Sequence, residues 1–156
     1  MPMPIRFLVA LFVMLMWAAP AVAIDVAKCD GAVVSLTFYR PDPRIDQIET
    51  VFSVSRGARR VTLRYSEIDF IGAECRRSIL GKSFIVFQAY CGGSACRDLD
   101  NFGIVDPVSL VIVIEPNDWN RDDAARFLGT RTGAEPIQDI YSVDTQKLVR
   151  ESVRQK

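Results

Sequence analysis

Cysteine is the residue type in this chain whose spacing points most directly to chemistry. Cys91 and Cys96 bracket four small residues in "YCGGSACR", and Cys29 and Cys75 complete an even set of four. A C-x4-C pair offers three roles: thiolate redox exchange, metal ligation or a covalent staple. Exchange of the thioredoxin type uses C-x-x-C, and structural zinc sites take closer cysteine pairs or histidine partners. The chain contains no histidine, which also removes Ser-His-Asp and Cys-His catalysis. The expectation is two structural disulfides, with no metal and no cofactor.

Four cysteines allow three pairings, of which Cys29–Cys75 with Cys91–Cys96 is preferred. Cys91 ends one strand-like run, and the next begins soon after Cys96. Facing residues on antiparallel strands lie about 4.5–5.5 Å apart, a span that a disulfide bridges. In the chain-entropy model, closing the short loop is worth about 2 kcal/mol and closing the long one about 4 kcal/mol. Cys29–Cys75 is then the stability staple. Cys91–Cys96 shapes a binding loop made of Gly92, Gly93, Ser94, Ala95 and Arg97. Ser94 in "GGSAC" lacks the G-x-S-x-G frame of a nucleophile elbow.

Disulfides persist in oxidising compartments, and the start of the chain agrees. Arg6 is the only charged side chain before Asp25, and Phe7 to Ala18 is an apolar run of twelve. Pro20 breaks the run, and Ala21-Val22-Ala23 has the small-x-small form of a signal-peptidase site. A membrane span needs about 20 apolar residues. Residues 1–23 are therefore expected to be a cleaved secretory signal, and 24–156 a single disulfide-stapled domain in the periplasm or outside the cell. Membrane contact is expected only through the leader before cleavage. The mature part would carry 18 basic and 19 acidic side chains. That balance argues against nucleic acid, whose binding rests on neutralising phosphates.

Charge is unevenly spread. Asp98 to Asp123 holds seven acids and one base, and Arg56 to Arg64 holds four arginines and no acid. The expected surface is an acidic patch beside the cysteine loop (Asp98, Asp100, Asp106) and a basic patch elsewhere, on a hairpin (Arg56, Arg59, Arg60, Arg64). Glu67, Asp69, Glu74 and Glu115 are the acids open to two-carboxylate hydrolysis of a glycosidic bond, but no spacing singles out a pair. "CRDLDNFGIVD" has alternating Asp98, Asp100 and Asn101 followed by Gly103, yet Phe102 and Ser109 stand where a calcium loop of the EF-hand type places ligands.

The elements that must position these groups read mainly as strands. "AVVSLTFYR" alternates, with Val34, Leu36 and Phe38 on one face. "QIETVFSVS" and "RVTLRY" flank "RGAR" and predict a hairpin with Ile48, Phe52, Val54, Val61, Leu63 and Tyr65 facing in. "SEIDFIGAECRRSILGK" fits a short helix or an irregular crossover. "SFIVFQAY" is nearly all apolar and predicts a central strand. "NFGIVD" and "VSLVIVIEP" predict two more strands, with the β-branched run Val111 to Ile114 buried on both faces. "NDWNRDDAARFLGT" predicts a helix, capped by Asn120 and stopped by Gly129. "IQDIYS" fits a short strand, and residues 142–156 a loosely docked terminal helix on a Leu148, Val149 and Val153 stripe. The expected fold class is α+β: one mostly antiparallel sheet of five to seven strands, with two C-terminal helices packed on it.

Function follows by elimination. An exported domain with stapled loops and no catalytic constellation reads as a non-catalytic binding or envelope-assembly module, with an envelope or secreted protein as partner. The alternative is a proteinaceous enzyme inhibitor. From Cys91 to Cys96 and the flanking strands, the chain resembles the periplasmic lysozyme inhibitors of the Ivy type, which present a C-x4-C loop between strands. The resemblance implies a rigid loop that enters a lysozyme active site. The family's loop carries a histidine there, where this chain has Gly92, Gly93, Ser94 and Ala95. A carboxylate-based hydrolase is a further alternative.

Overall fold

Alternation of apolar and polar side chains gives strands such as Ala32–Tyr39 one face to bury, and the chain uses such faces to close two antiparallel sheets on each other. The computed structural model describes residues 21–92, 101–117, 120–130 and 134–150. Four strands form the first sheet in simple meander order: β1 (Ala23–Cys29), β2 (Ala32–Tyr39), β3 (Glu49–Arg56) and β4 (Arg59–Tyr65). The second sheet is built from β5 (Phe70–Arg77), β6 (Ser83–Tyr90), β7 (Phe102–Val105), β8 (Ile112–Ile114), β9 (Asp139–Ser142) and β10 (Leu148–Arg150), in the order β10-β9-β5-β6-β7-β8. A single described helix, α1 (Arg121–Leu128), lies between β8 and β9 in the chain.

The centre of the second sheet, β6 and β7, is buried on both faces. Toward the first sheet, Ile71, Ala73, Ile85, Phe87, Ala89 and Val105 meet Val34, Leu36, Phe38, Phe52 and Val54. Phe87 stacks on Phe52 with ring centroids 4.3 Å apart. Toward the helix, Phe84, Val86, Phe102 and Ile104 meet Ala124, Ala125, Leu128, Ala134 and Ile137. The layers are therefore sheet, sheet and helix. This explains the apolar composition of β6, whose side chains alternate between two cores. Gly103 pairs with Phe87 across β6 and β7, and a Cβ at Gly103 would meet the Phe87 ring at 2.2 Å. The missing side chain makes room for the ring that joins the sheets. The buried Gln88 fixes the return to β9, since its Oε1 accepts from the N–H of Ile137 at 2.6 Å.

The expected fold class is corrected in three respects. The described strands form two sheets rather than one, and the ambiguous stretch before Lys82 supplies β5, which lies between β6 and β9. Its Gly72 does not break the strand: the residue packs so close to Asp139 that a Cβ would sit 2.5 Å from that carbonyl oxygen. Secondly, the expected terminal helix is absent from its described part, 142–150. The chain turns at 143–145 and returns as β10, paired with β9. Three apolar residues on a narrow stripe bury too little to hold a helix, whereas the edge of β9 offers backbone hydrogen bonds directly. The remainder of that expectation lies outside the described residues. Thirdly, Val111 to Ile114 is not buried on both faces. Val111 and Val113 are 56% and 38% exposed, because β8 is the edge strand of its sheet.

The hairpin forms as expected, and the helix forms and stops at Gly129 as expected, but the expected Asn120 cap is not made. Arg56 pairs with Arg59 around Gly57-Ala58. Gly129 ends α1 in the left-handed conformation at φ 78°, where glycine carries no Cβ penalty. Asn120 precedes the helix without a side-chain cap. Its amide serves the sheet instead, accepting from the N–H of Phe102 at 2.8 Å and donating to the Glu115 carbonyl at 2.6 Å.

Candidate functional site

The strands run so that two ends of the sandwich differ in kind. One carries the tight connections at 30–31, 57–58, 78–82 and 106–110; the other carries the longer loops 40–48 and 66–69, the start of the cysteine loop and the 143–147 turn. The second end forms the candidate site.

Cys29 and Cys75 are disulfide-bonded, as expected, with Cα atoms 5.2 Å apart. The bond ties β1 of the first sheet to β5 of the second, and its Cys29 half is buried. Its role is to clamp the sandwich. Cys91 is also disulfide-bonded. Cys96, Gly93, Ser94, Ala95, Arg97, Asp98 and Asp100 lie outside the described residues. Of the expected binding loop, only Gly92 is described.

Gly92 is held firmly. Its N–H donates to the Asp69 carboxylate at 2.6 Å, and the Asp69 N–H donates to the Tyr90 carbonyl at 2.9 Å. The Asp69 carbonyl in turn accepts from the N–H of Val143 at 2.8 Å. One residue thus joins the root of the cysteine loop to the β9–β10 turn. Beside it lies a cleft of about 250 Å³ with Asp46, Glu67, Asp69 and Asp144 around it and Ile48, Ile68 and Val143 in its wall. Gln47 bridges two of the contributing loops through its Nε2 and the Ser66 carbonyl, 3.1 Å apart. Asp46 is paired with Arg40 at 2.6 Å.

Two of the acids singled out in the sequence, Glu67 and Asp69, share this cleft; Glu74 and Glu115 do not. Glu74 is engaged by Arg76. Glu115 lies after β8, near Tyr65, whose hydroxyl is pushed above its ordinary pKa by burial and then by that carboxylate. Asp46 and Asp144 were missed by sequence reasoning. They stand on loops far apart in the chain, and only the pairing of β9 with β5 brings Asp144 to Asp69.

The charged patches are arranged differently from expectation. Asp106 is not beside the cysteine loop but at the opposite end, where it accepts from Lys82 Nζ at 2.6 Å and from the N–H groups of Val108 and Ser109. The Lys82 bond leads the effects that hold its carboxyl below the usual range, with partial desolvation opposing. The arginines are divided. Arg56 and Arg59 donate to the carbonyls of Pro107 and Val108, at 3.3 and 2.7 Å, so the basic turn and Asp106 share one end. Arg64 donates to the Tyr39 hydroxyl at 2.9 Å, and Arg60 is exposed on the outer face of β4.

Among the described residues there is no group of His, Cys, Asp or Glu able to hold a metal, and no helix long and apolar enough to cross a membrane. Comparison with protein-family models, with characterised proteins and with solved structures finds no match.

Proposed function

We propose that this chain is a small exported, non-catalytic binding module that meets a basic envelope or secreted protein at the loop end of the sandwich. The Gly92–Asp69 hydrogen bond carries the reading, because it sets the root of the cysteine loop on the rim of the acidic cleft. Exposed carboxylates around a concave floor attract a basic surface and speed its association. A loop already tied at its root loses less entropy on binding. The same acids suit hydrolysis poorly. Glu67, Asp69 and Asp144 stand exposed to solvent, whereas such chemistry gains from a site that excludes water.

A second reading, inhibition of a lysozyme, is favoured by one observation: the C-x4-C loop leaves β6 beside that acidic cleft, and many lysozymes are basic. Both are tested with the chain from Ile24 onward. Wild type captures a basic protein from envelope extract, and the Glu67→Lys, Asp144→Lys variant, folded to the same melting temperature, does not. Equal capture by the charge-reversed variant overturns the first reading. Turbidity assays with each lysozyme class decide the second: inhibition lost in Cys91→Ser, Cys96→Ser supports it, and no inhibition of any class removes it.

A further inference from the structure

At the opposite end, the β5–β6 turn presents apolar residues where a hairpin tip is ordinarily polar. Ile79 is 75% exposed and Leu80 90% exposed. The turn is not loose. The Ser78 N–H donates to the Lys82 carbonyl at 2.8 Å, the Gly81 N–H to the Ser78 carbonyl at 2.9 Å, and the Ile79 N–H to the Leu128 carbonyl at 3.0 Å. The last bond braces the tip against the end of α1. Leu80 is therefore held out in water by an ordered backbone, and Ile79 lies along Gly129 with most of its surface still exposed.

Cations surround this tip. Arg77 and Lys82 flank it in the chain. Lys82 bonds Asp106, and the neighbouring carbonyls of Pro107 and Val108 accept from Arg56 and Arg59, so a continuous run of contacts joins the tip to the basic turn. Backbone carbonyls orient these guanidinium groups without neutralising them. On and beside these turns Asp30 and Asp106 oppose Arg56, Arg59, Arg60 and Lys82, while Arg77 lines a recess with Arg76, Glu74 and Glu135. Exposed Val108 adds apolar surface between the two regions.

We infer that this end docks on an anionic lipid surface, with Ile79 and Leu80 entering the headgroup–acyl boundary and the cations set back at the phosphates. An interfacial anchor needs this division between an apolar point and a basic collar. Long cationic side chains bury their stems while keeping the charge among headgroups. A two-residue tip is too small for the core of a stable protein interface, which buries roughly 1,200–2,000 Å² in total. This membrane contact is independent of the acidic loop end and adds to the one expected of the leader.

The test uses the chain from Ile24 in vesicle flotation. Wild type floats with vesicles of 70% phosphatidylcholine and 30% phosphatidylglycerol, stays behind with pure phosphatidylcholine, and is released by salt. Leu80→Ser weakens binding about ten-fold, and Arg77→Ala and Arg60→Ala each about five-fold. Leu80→Trp acquires a blue-shifted emission on anionic vesicles. Glu67→Lys, at the other end, retains binding, which separates this result from the partner-capture experiment. Wild type failing to float with anionic vesicles overturns the inference, as does Leu80→Ser floating equally well. Leu80 is nearly free of neighbours, and an unchanged melting temperature verifies that the variant is folded.

Discussion

The N–H of Gly92 donates to the Asp69 carboxylate across 2.6 Å, and through that bond a residue before β5 governs how the chain leaves β6. Asp69→Ala removes the acceptor, and Asp69→Asn preserves it. Because the bond is exposed, stability falls by about 1 kcal/mol or less in Asp69→Ala. The more sensitive measure is amide exchange, which accelerates at Gly92 in Asp69→Ala and stays close to wild type in Asp69→Asn.

Cys29 and Cys75 are 46 positions apart and belong to different sheets. Replacing both by serine frees the unfolded chain and costs about 4 kcal/mol in the chain-entropy model. Urea unfolding monitored by fluorescence checks this through a lower midpoint. An unchanged midpoint would show that the sheets hold without the clamp.

Gly103 is the space into which Phe87 fits. Gly103→Ala places a methyl carbon against the aromatic ring, and the ring cannot retreat because Phe52 is stacked on the same residue. The expected loss is about 1–3 kcal/mol, as for other overpacked cores. Phe87→Ala loses about 3–5 kcal/mol by leaving a cavity. In Gly103→Ala, Phe87→Leu the added methyl meets a smaller neighbour, so the double variant is more stable than the sum of single effects predicts. Chemical denaturation of all variants reads out the coupling.

Tyr65 gives the protein an alkaline limit. Burial, with help from Glu115, holds its hydroxyl above the ordinary tyrosine range. A group raised on folding contributes stability that is complete below its unfolded pKa of about 10 and is lost as pH rises toward the folded value. Stability is therefore level at neutral pH and declines above about pH 10. Tyr65→Phe flattens that decline, as urea midpoints between pH 8 and pH 12 would show.

Asp106 acts in the opposite direction. Its carboxyl is lowered chiefly by the hydrogen bond from Lys82. Its contribution is present above the unfolded pKa of about 3.9 and disappears as pH falls through the lower folded value. Asp106→Asn reduces the acid sensitivity of unfolding below about pH 4 and leaves the slope above pH 6 unchanged. The site is exposed, so the effect is small and weakens with salt.

Local pattern was legible wherever one residue sets the conformation or face of its neighbours. The alternation in β2 placed Val34, Leu36 and Phe38 in the core, and the hairpin around Gly57 paired as expected. Gly129 stopped the helix where its left-handed backbone allows. The terminal segment misled because Leu148 and Val149 fit a weak helix stripe and an edge strand equally well. Short apolar runs carry no period long enough to separate those two. Val111 to Ile114 misled for a related reason: β-branched residues favour a strand, but composition does not distinguish a central strand from an edge.

The candidate site divides in the same way. Cysteine number and the absence of histidine are properties of the chain itself, and they settled which chemistries lacked their residues and which thiols had partners to choose from. The pairing Cys29–Cys75 followed from adjacency, because Cys91 and Cys96 stand at the ends of neighbouring strand runs and leave Cys29 and Cys75 to each other. Three outcomes were decided only by tertiary structure: the gathering of Asp46, Glu67, Asp69 and Asp144 at one end, the removal of Asp106 to the other, and the exposure of Leu80 on a braced turn. Side-chain alternation is enforced between adjacent residues by backbone sterics, so it is written locally. Which loops meet depends on strand order, and strand order is chosen by burial summed over the whole chain, a quantity that no short segment contains.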